Sequence, residues 1–109
     1  MDIIKYEDFE KLDLRVATVT KVEDHPNADK LYVLNIDLGN EERTIVAGIK
    51  KYYTQEELIG KQIIVLANLG AAKLRGVESN GMLLAVGDEK GKLFVLTPDG
   101  NIDNGSKIG

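Results

Sequence analysis

Lys73 and Arg75 stand two residues apart in the stretch NLGAAKLRGVESNGMLLA, residues 68–85, where Glu78 is the only acid. A lysine presents a compact point charge and an arginine a planar bidentate fork, and both suit phosphate oxygens. Contacts of that kind supply affinity and salt dependence without reading a base sequence. Asn68 and Ser79 bracket the pair. Each can donate to a phosphate or a ribose hydroxyl, or can instead pin the segment through side-chain to backbone hydrogen bonds. Met82 offers a soft apolar contact or belongs to the core. Gly76 and Gly81 allow backbone geometries that other residues resist. An ordinary solvated loop is the competing interpretation of the whole stretch.

Other chemistries find little support. His25 is the sole histidine, sits before Pro26 in a connector, and is expected to be a turn or surface residue rather than a base. Ser79 has no activating partner at a recognisable spacing. The acidic pairs Glu56-Glu57 and Asp88-Glu89 read as helix capping and solubility. No dinucleotide fingerprint or P-loop occurs, so no catalytic residue and no cofactor is expected. With no cysteine and one histidine, a thiolate or histidine-rich metal site is excluded. Runs such as IIVLA and MLLAV are far short of a membrane span, and the acidic, polar MDIIKYEDFEK is no signal peptide. The expectation is a cytoplasmic protein. The lack of cysteine and the charged composition point weakly toward a thermophile.

The net charge is −4, which by itself argues against a polyanionic partner. The charge is unevenly spread, however. Residues 1–60 hold 8 basic and 13 acidic residues, a net of −5. Residues 61–87 hold Lys61, Lys73 and Arg75 against Glu78, a net of +2. A basic face on an acidic body is therefore possible, with a mixed solvated surface as the plainer alternative.

The elements that must position these residues read as mostly strand. YEDFEKL, residues 6–12, suits a short helix with Phe9 and Leu12 on one face. LRVATVTKV, 14–22, is rich in β-branched residues and predicts a strand. DHPNADK is a connector with turn chemistry. YVLNIDL, 32–38, alternates Tyr32, Leu34, Ile36 and Leu38 against Val33, Asn35 and Asp37, so one face is buried. Gly39-Asn40 turns the chain and ERTIVAGI returns as a third strand. Thr54 followed by Glu57 forms a capping box that starts a short helix, and Gly60 can end it. Residues 61–67 and 82–86 predict a fourth and fifth strand, with residues 92–96 adding another. No repeat or linker divides the chain, so residues 1–109 form a single domain.

Three strands, a short helix and two or more strands is the order of a five-stranded Greek-key OB barrel. All-β is thus the expected class, with extensions at both ends; a small sandwich or another barrel is the alternative. In an OB barrel the loops between strands one and two and between strands four and five flank the ligand face. Here those are DHPNADK, which ends at Lys30, and the stretch that carries Lys73 and Arg75.

HPNADKL at 25–31, IVAGI at 45–49, NLGAAKLRGVESNGMLLA at 68–85 and LTPDG at 96–100 resemble the tRNA-binding OB domain. That domain occurs appended to methionyl-tRNA synthetases, at the start of the bacterial phenylalanyl-tRNA synthetase beta chain, in cytokine-like synthetase cofactors and as free-standing proteins. The resemblance runs from about Phe9 to Ile108. It implies RNA contacts at Lys30, Asn68, Lys73, Arg75, Ser79 and Met82, homodimers built through elements outside the barrel, and recognition of the outer corner of tRNA by shape. Starting at Met1 without a catalytic domain, the chain is expected to be a free-standing member or a separately encoded beta subunit of a methionyl-tRNA synthetase. One relative is instead an export-linked chaperone, which makes a polypeptide-binding module the main alternative; a pure dimerisation subunit for a synthetase is a third. The aromatic content of 6% independently disfavours capture of unpaired bases on stacking platforms. Of Tyr52 and Tyr53, one ring is expected to cover the end of the barrel and the other to face outward. Ile3, Ile4, Ile102 and Ile108 place apolar residues in the termini, where a dimer could cover them.

Overall fold

The computed structural model describes residues 1–109. In chain order the elements are α1 (Tyr6–Glu10), β1 (Leu14–Asp24), β2 (Tyr32–Asp37), β3 (Glu42–Ala47), α2 (Gln55–Leu58), β4 (Gln62–Leu66), β5 (Ala72–Leu74), β6 (Val77–Ser79), β7 (Met82–Leu83), β8 (Ala85–Gly87) and β9 (Leu93–Val95). No helix is long and apolar enough to cross a membrane.

β1 organises the sheet because it is long enough to serve two partners. Its first half, Leu14 to Thr18, pairs with β4, and its second half pairs antiparallel with β2 as far as Asp24↔Tyr32. The register shifts between Val19 and Lys21. An extra residue there bends the strand and raises its twist, which lets one sheet curl toward closure. The five antiparallel strands lie in the order β3-β2-β1-β4-β7. The two edges come close to meeting: the Asn80 N–H donates to the Thr44 carbonyl at 2.9 Å. The result is a nearly closed all-β barrel of OB type, as the element order predicts.

The interior follows the period-two pattern of the strands. Tyr32, Leu34 and Ile36 of β2 are buried and alternate with half-exposed neighbours. They meet Val19, Ile45, Ile63, Val65 and Leu83 in one cluster, which Leu58 of α2 joins. The capping box of α2 is formed: Thr54 Oγ1 accepts from the Glu57 N–H and Glu57 Oε1 accepts from the Thr54 N–H at 2.8 Å. That backbone N–H, and then the Thr54 hydroxyl, hold the Glu57 carboxyl below the ordinary glutamate range. Tyr53 packs against the cluster and its hydroxyl accepts from the Val95 N–H, whereas Tyr52 is exposed.

Two sequence expectations change. The stretch 82–86 is not one strand: it divides at Leu84, whose N–H bonds to Ile64 and whose carbonyl accepts from Leu96. From there the chain pairs as the β8–β9 ribbon, whose Val95 still packs into the core cluster. The segment from Asn68 to Gly81 is not an open loop either. It folds back on itself as the hairpin β5–β6, with Ala72↔Ser79, Lys73↔Glu78 and Leu74↔Val77 opposed.

Candidate nucleic-acid interface

The hairpin exists because of its turn. Arg75 has φ +52° and Gly76 φ +94°. Positive φ at both central residues is what a two-residue type I′ connection requires, and its twist matches that of the flanking strands. Gly76 adopts it freely, while Arg75 is the only non-glycine residue with positive φ in the chain. Alternation then sorts the side chains. Ala72 and Leu74 face down into an apolar groove of about 300 Å³ shared with Val46, Ile49, Met82 and Leu83. Lys73 and Glu78 take the opposite side, and Arg75 stands at the tip.

Base and tip of the hairpin are fixed by different contacts. At the base, Ser79 Oγ accepts from the Val46 N–H at 2.9 Å and donates to the Gly81 carbonyl at 3.0 Å. At the tip, the connector between β1 and β2 reaches across. His25 lies against the Leu74 carbonyl through Nε2 at 2.9 Å, and the Asn27 amide donates to the Arg75 carbonyl at 3.3 Å. The connector therefore holds up the hairpin while also carrying exposed Lys30. The Leu31 side chain, next to Lys30, lies beside Gly48, which lines the groove beneath the hairpin. The two loops expected to flank an OB ligand face are thus in direct contact.

The charges at this end are free. Five ion pairs form in the chain, using Lys11, Arg15, Lys21, Arg43 and Lys50. Lys30, Lys73 and Arg75 take part in none of them, and Glu78 opposes Lys73 across the hairpin without an ion pair. Exposed, unpaired cations on the hairpin and on the connector that supports it can each neutralise a phosphate at little desolvation cost.

The six expected site residues divide into two groups. Lys30, Lys73, Arg75 and Met82 are exposed, with Met82 46% accessible at the rim of the groove. Asn68 and Ser79 have their side chains engaged within the protein. Asn68 accepts from the Asp13 N–H at 2.9 Å and donates to the Lys11 carbonyl at 2.7 Å, tying the end of β4 to the segment after α1. Ser79 is only 5% exposed. Both side chains bond to backbone, and Asn68 is exposed while Ser79 is buried. His25 differs from its expected place as a turn or surface residue: it is 6% exposed, covered by the folded hairpin.

A nearly closed OB-type barrel that carries a cation-tipped hairpin over an apolar groove defines the class of domain. Residues 14–107 match the family described as "Putative tRNA binding domain", and the chain belongs to that family. It is 56% identical over 108 residues to the methionine–tRNA ligase of Pyrococcus horikoshii, covering 99% of this chain and 15% of that protein. The chain thus spans about a seventh of the length of that relative. Among solved structures it superposes on a MetRS-related protein from Pyrococcus horikoshii with a TM-score of 0.94 at 38% identity, covering 100% of both chains. It also superposes on the chaperone CsaA from Bacillus anthracis with a TM-score of 0.91 at 34% identity, covering 99% of this chain and 100% of the other.

Proposed function

We propose that this domain binds folded tRNA by shape and backbone, without catalysing a reaction. Lys30, Lys73 and Arg75 contact phosphates, and Met82 lies against a sugar or base at the groove rim. Asn68 and Ser79 serve the site by holding the backbone that presents it. The observation that carries this reading is the hairpin: a turn that places an arginine in a left-handed conformation, tied at its tip to the connector that bears Lys30. The family match and the likeness to a methionyl-tRNA ligase support tRNA as the nucleic acid. The chain acts in the cytoplasm as a methionyl-tRNA synthetase beta subunit or free-standing homologue that raises the local tRNA concentration for a synthetase.

Three phosphate contacts on one domain bind weakly at physiological salt. Two such faces at fixed spacing on a homodimer add avidity. The surface that supports a dimer lies where the termini meet. Tyr6, Phe9 and Leu12 line a groove of about 350 Å³ with Ile108, and Ile3 and Ile4 are exposed beside α1 in the sequence. Ile102 does not join them; its backbone is bonded to Gln62.

A titration of fluorescent tRNA with the protein in 50 mM and 200 mM salt tests the reading. Binding that weakens steeply with salt supports it. No binding at the lower concentration removes it. The apolar lining of the groove under the hairpin favours a second reading, a polypeptide-binding module like the chaperone neighbour. A peptide ligand would bind with little salt dependence and would be lost on polar substitution of Leu74 or Met82.

A further inference from the structure

We propose that His25 is a positioning residue for RNA recognition: it locks the hairpin tip, and so sets where Lys73 and Arg75 meet the phosphates. This rests on the tRNA-binding reading of the same face. His25 and Ser79 are the only buried polar residues in the chain. Nδ1 of His25 accepts from the Asn27 N–H at 3.0 Å. That bond requires Nδ1 to be bare and fixes the proton on Nε2, which donates to the Leu74 carbonyl at 2.9 Å. Leu74 immediately precedes the left-handed Arg75, and the Arg75 carbonyl is held by Asn27 in turn. Two consecutive carbonyls at the start of the turn are therefore caught by the same connector.

The hairpin needs this second hold. Each of its strands has three residues, and a two-stranded hairpin of that size is marginal alone in water. Ser79 and Asn80 fix its base against β3. Without His25, the tip can pivot about that base, and the two cations leave their positions while Lys30 keeps its own.

The test compares His25→Ala, His25→Gln, Lys73→Ala/Arg75→Ala and the triple variant, each checked for folding by melting. Binding to intact tRNA is titrated between 50 mM and 300 mM salt. Amide exchange is followed on the proteins without RNA. If the tip lock fails, two phosphate contacts go together. His25→Ala then weakens binding by about 60-fold at 0.1 M salt, the same loss as Lys73→Ala/Arg75→Ala, because each contact adds about 0.9 to the log–log salt slope. The triple variant binds no more weakly than the double. His25→Gln keeps a donor for Leu74 and restores most of the slope. Amides of residues 72–79 exchange faster in His25→Ala, while those of Ile63 and Val65 do not change.

A wild-type salt slope in His25→Ala overturns the proposal, as does a further loss in the triple variant. So does faster exchange across the whole barrel, which would make His25 a general packing residue. If wild-type protein binds no tRNA, the reading of function fails, and the exchange pattern alone still decides whether His25 locks the hairpin.

Discussion

Arg75→Asn should make the protein more stable and worse at binding tRNA. Arg75 has φ +52°, a region that costs an L-residue with a long side chain about 1–2 kcal/mol relative to right-handed backbone. Asparagine tolerates that region, and Asn-Gly is a favoured pair for a type I′ turn. The substitution therefore recovers about 1 kcal/mol, which in a domain of this size raises Tm by about 4 °C. It also removes one free cation from the rim. With about 0.9 in log–log slope per phosphate contact, that loss weakens tRNA binding about 8-fold at 0.1 M salt and only about 3-fold at 0.3 M. Calorimetric melting gives the first quantity and anisotropy titrations at the two salt concentrations give the second. A Tm no higher than wild type would show that the turn is not strained by arginine. Unchanged affinity at 0.1 M salt would show that Arg75 touches no phosphate. Either result refutes the argument that this residue is kept in a costly backbone conformation for what its side chain does.

Other consequences can be checked on the same protein. Ser79→Ala leaves the buried Val46 N–H without an acceptor and should cost about 1–3 kcal/mol in denaturant unfolding. The Glu57 carboxyl is held below its ordinary range by Thr54. Its capping contribution is therefore full above the ordinary glutamate pKa and is lost as pH falls through the lower folded value; the Tm difference between wild type and Glu57→Gln should close over that acid interval and not above it. Leu12→Asp on the groove between the termini should convert a dimer to a monomer in sedimentation while leaving the barrel's circular dichroism unchanged. An unaltered dimer mass would place the interface elsewhere.

What could be read in advance was what neighbours in sequence decide. The alternation of Tyr32, Leu34, Ile36 and Leu38 announces a strand because burial has period two. Thr54 and Glu57 announce a helix start because both partners of the capping box lie within three residues. Lys30, Lys73 and Arg75 stand out by their charge and by the OB layout. The hairpin was hidden because arginine is not a residue that signals a left-handed turn, and because its tip is held by His25 and Asn27 from 48 or more residues upstream. The burial of His25 is hidden for the same reason: nothing near it in sequence covers it, and the hairpin that does is not legible locally. The pinning role of Asn68 is not visible locally because its partners, Lys11 and Asp13, lie more than fifty residues away. The break at Leu84 follows from Leu96 bonding it from the far side of the ribbon, a contact no local pattern carries.

The most direct test of the central claim is a competition between intact folded tRNA and heat-denatured tRNA for the protein at low and at moderate salt. A rim of free cations with few aromatics should prefer the folded form, and both affinities should fall as salt rises. No binding to either form at low salt, or equal affinity for both, would contradict shape-directed recognition of tRNA by this face.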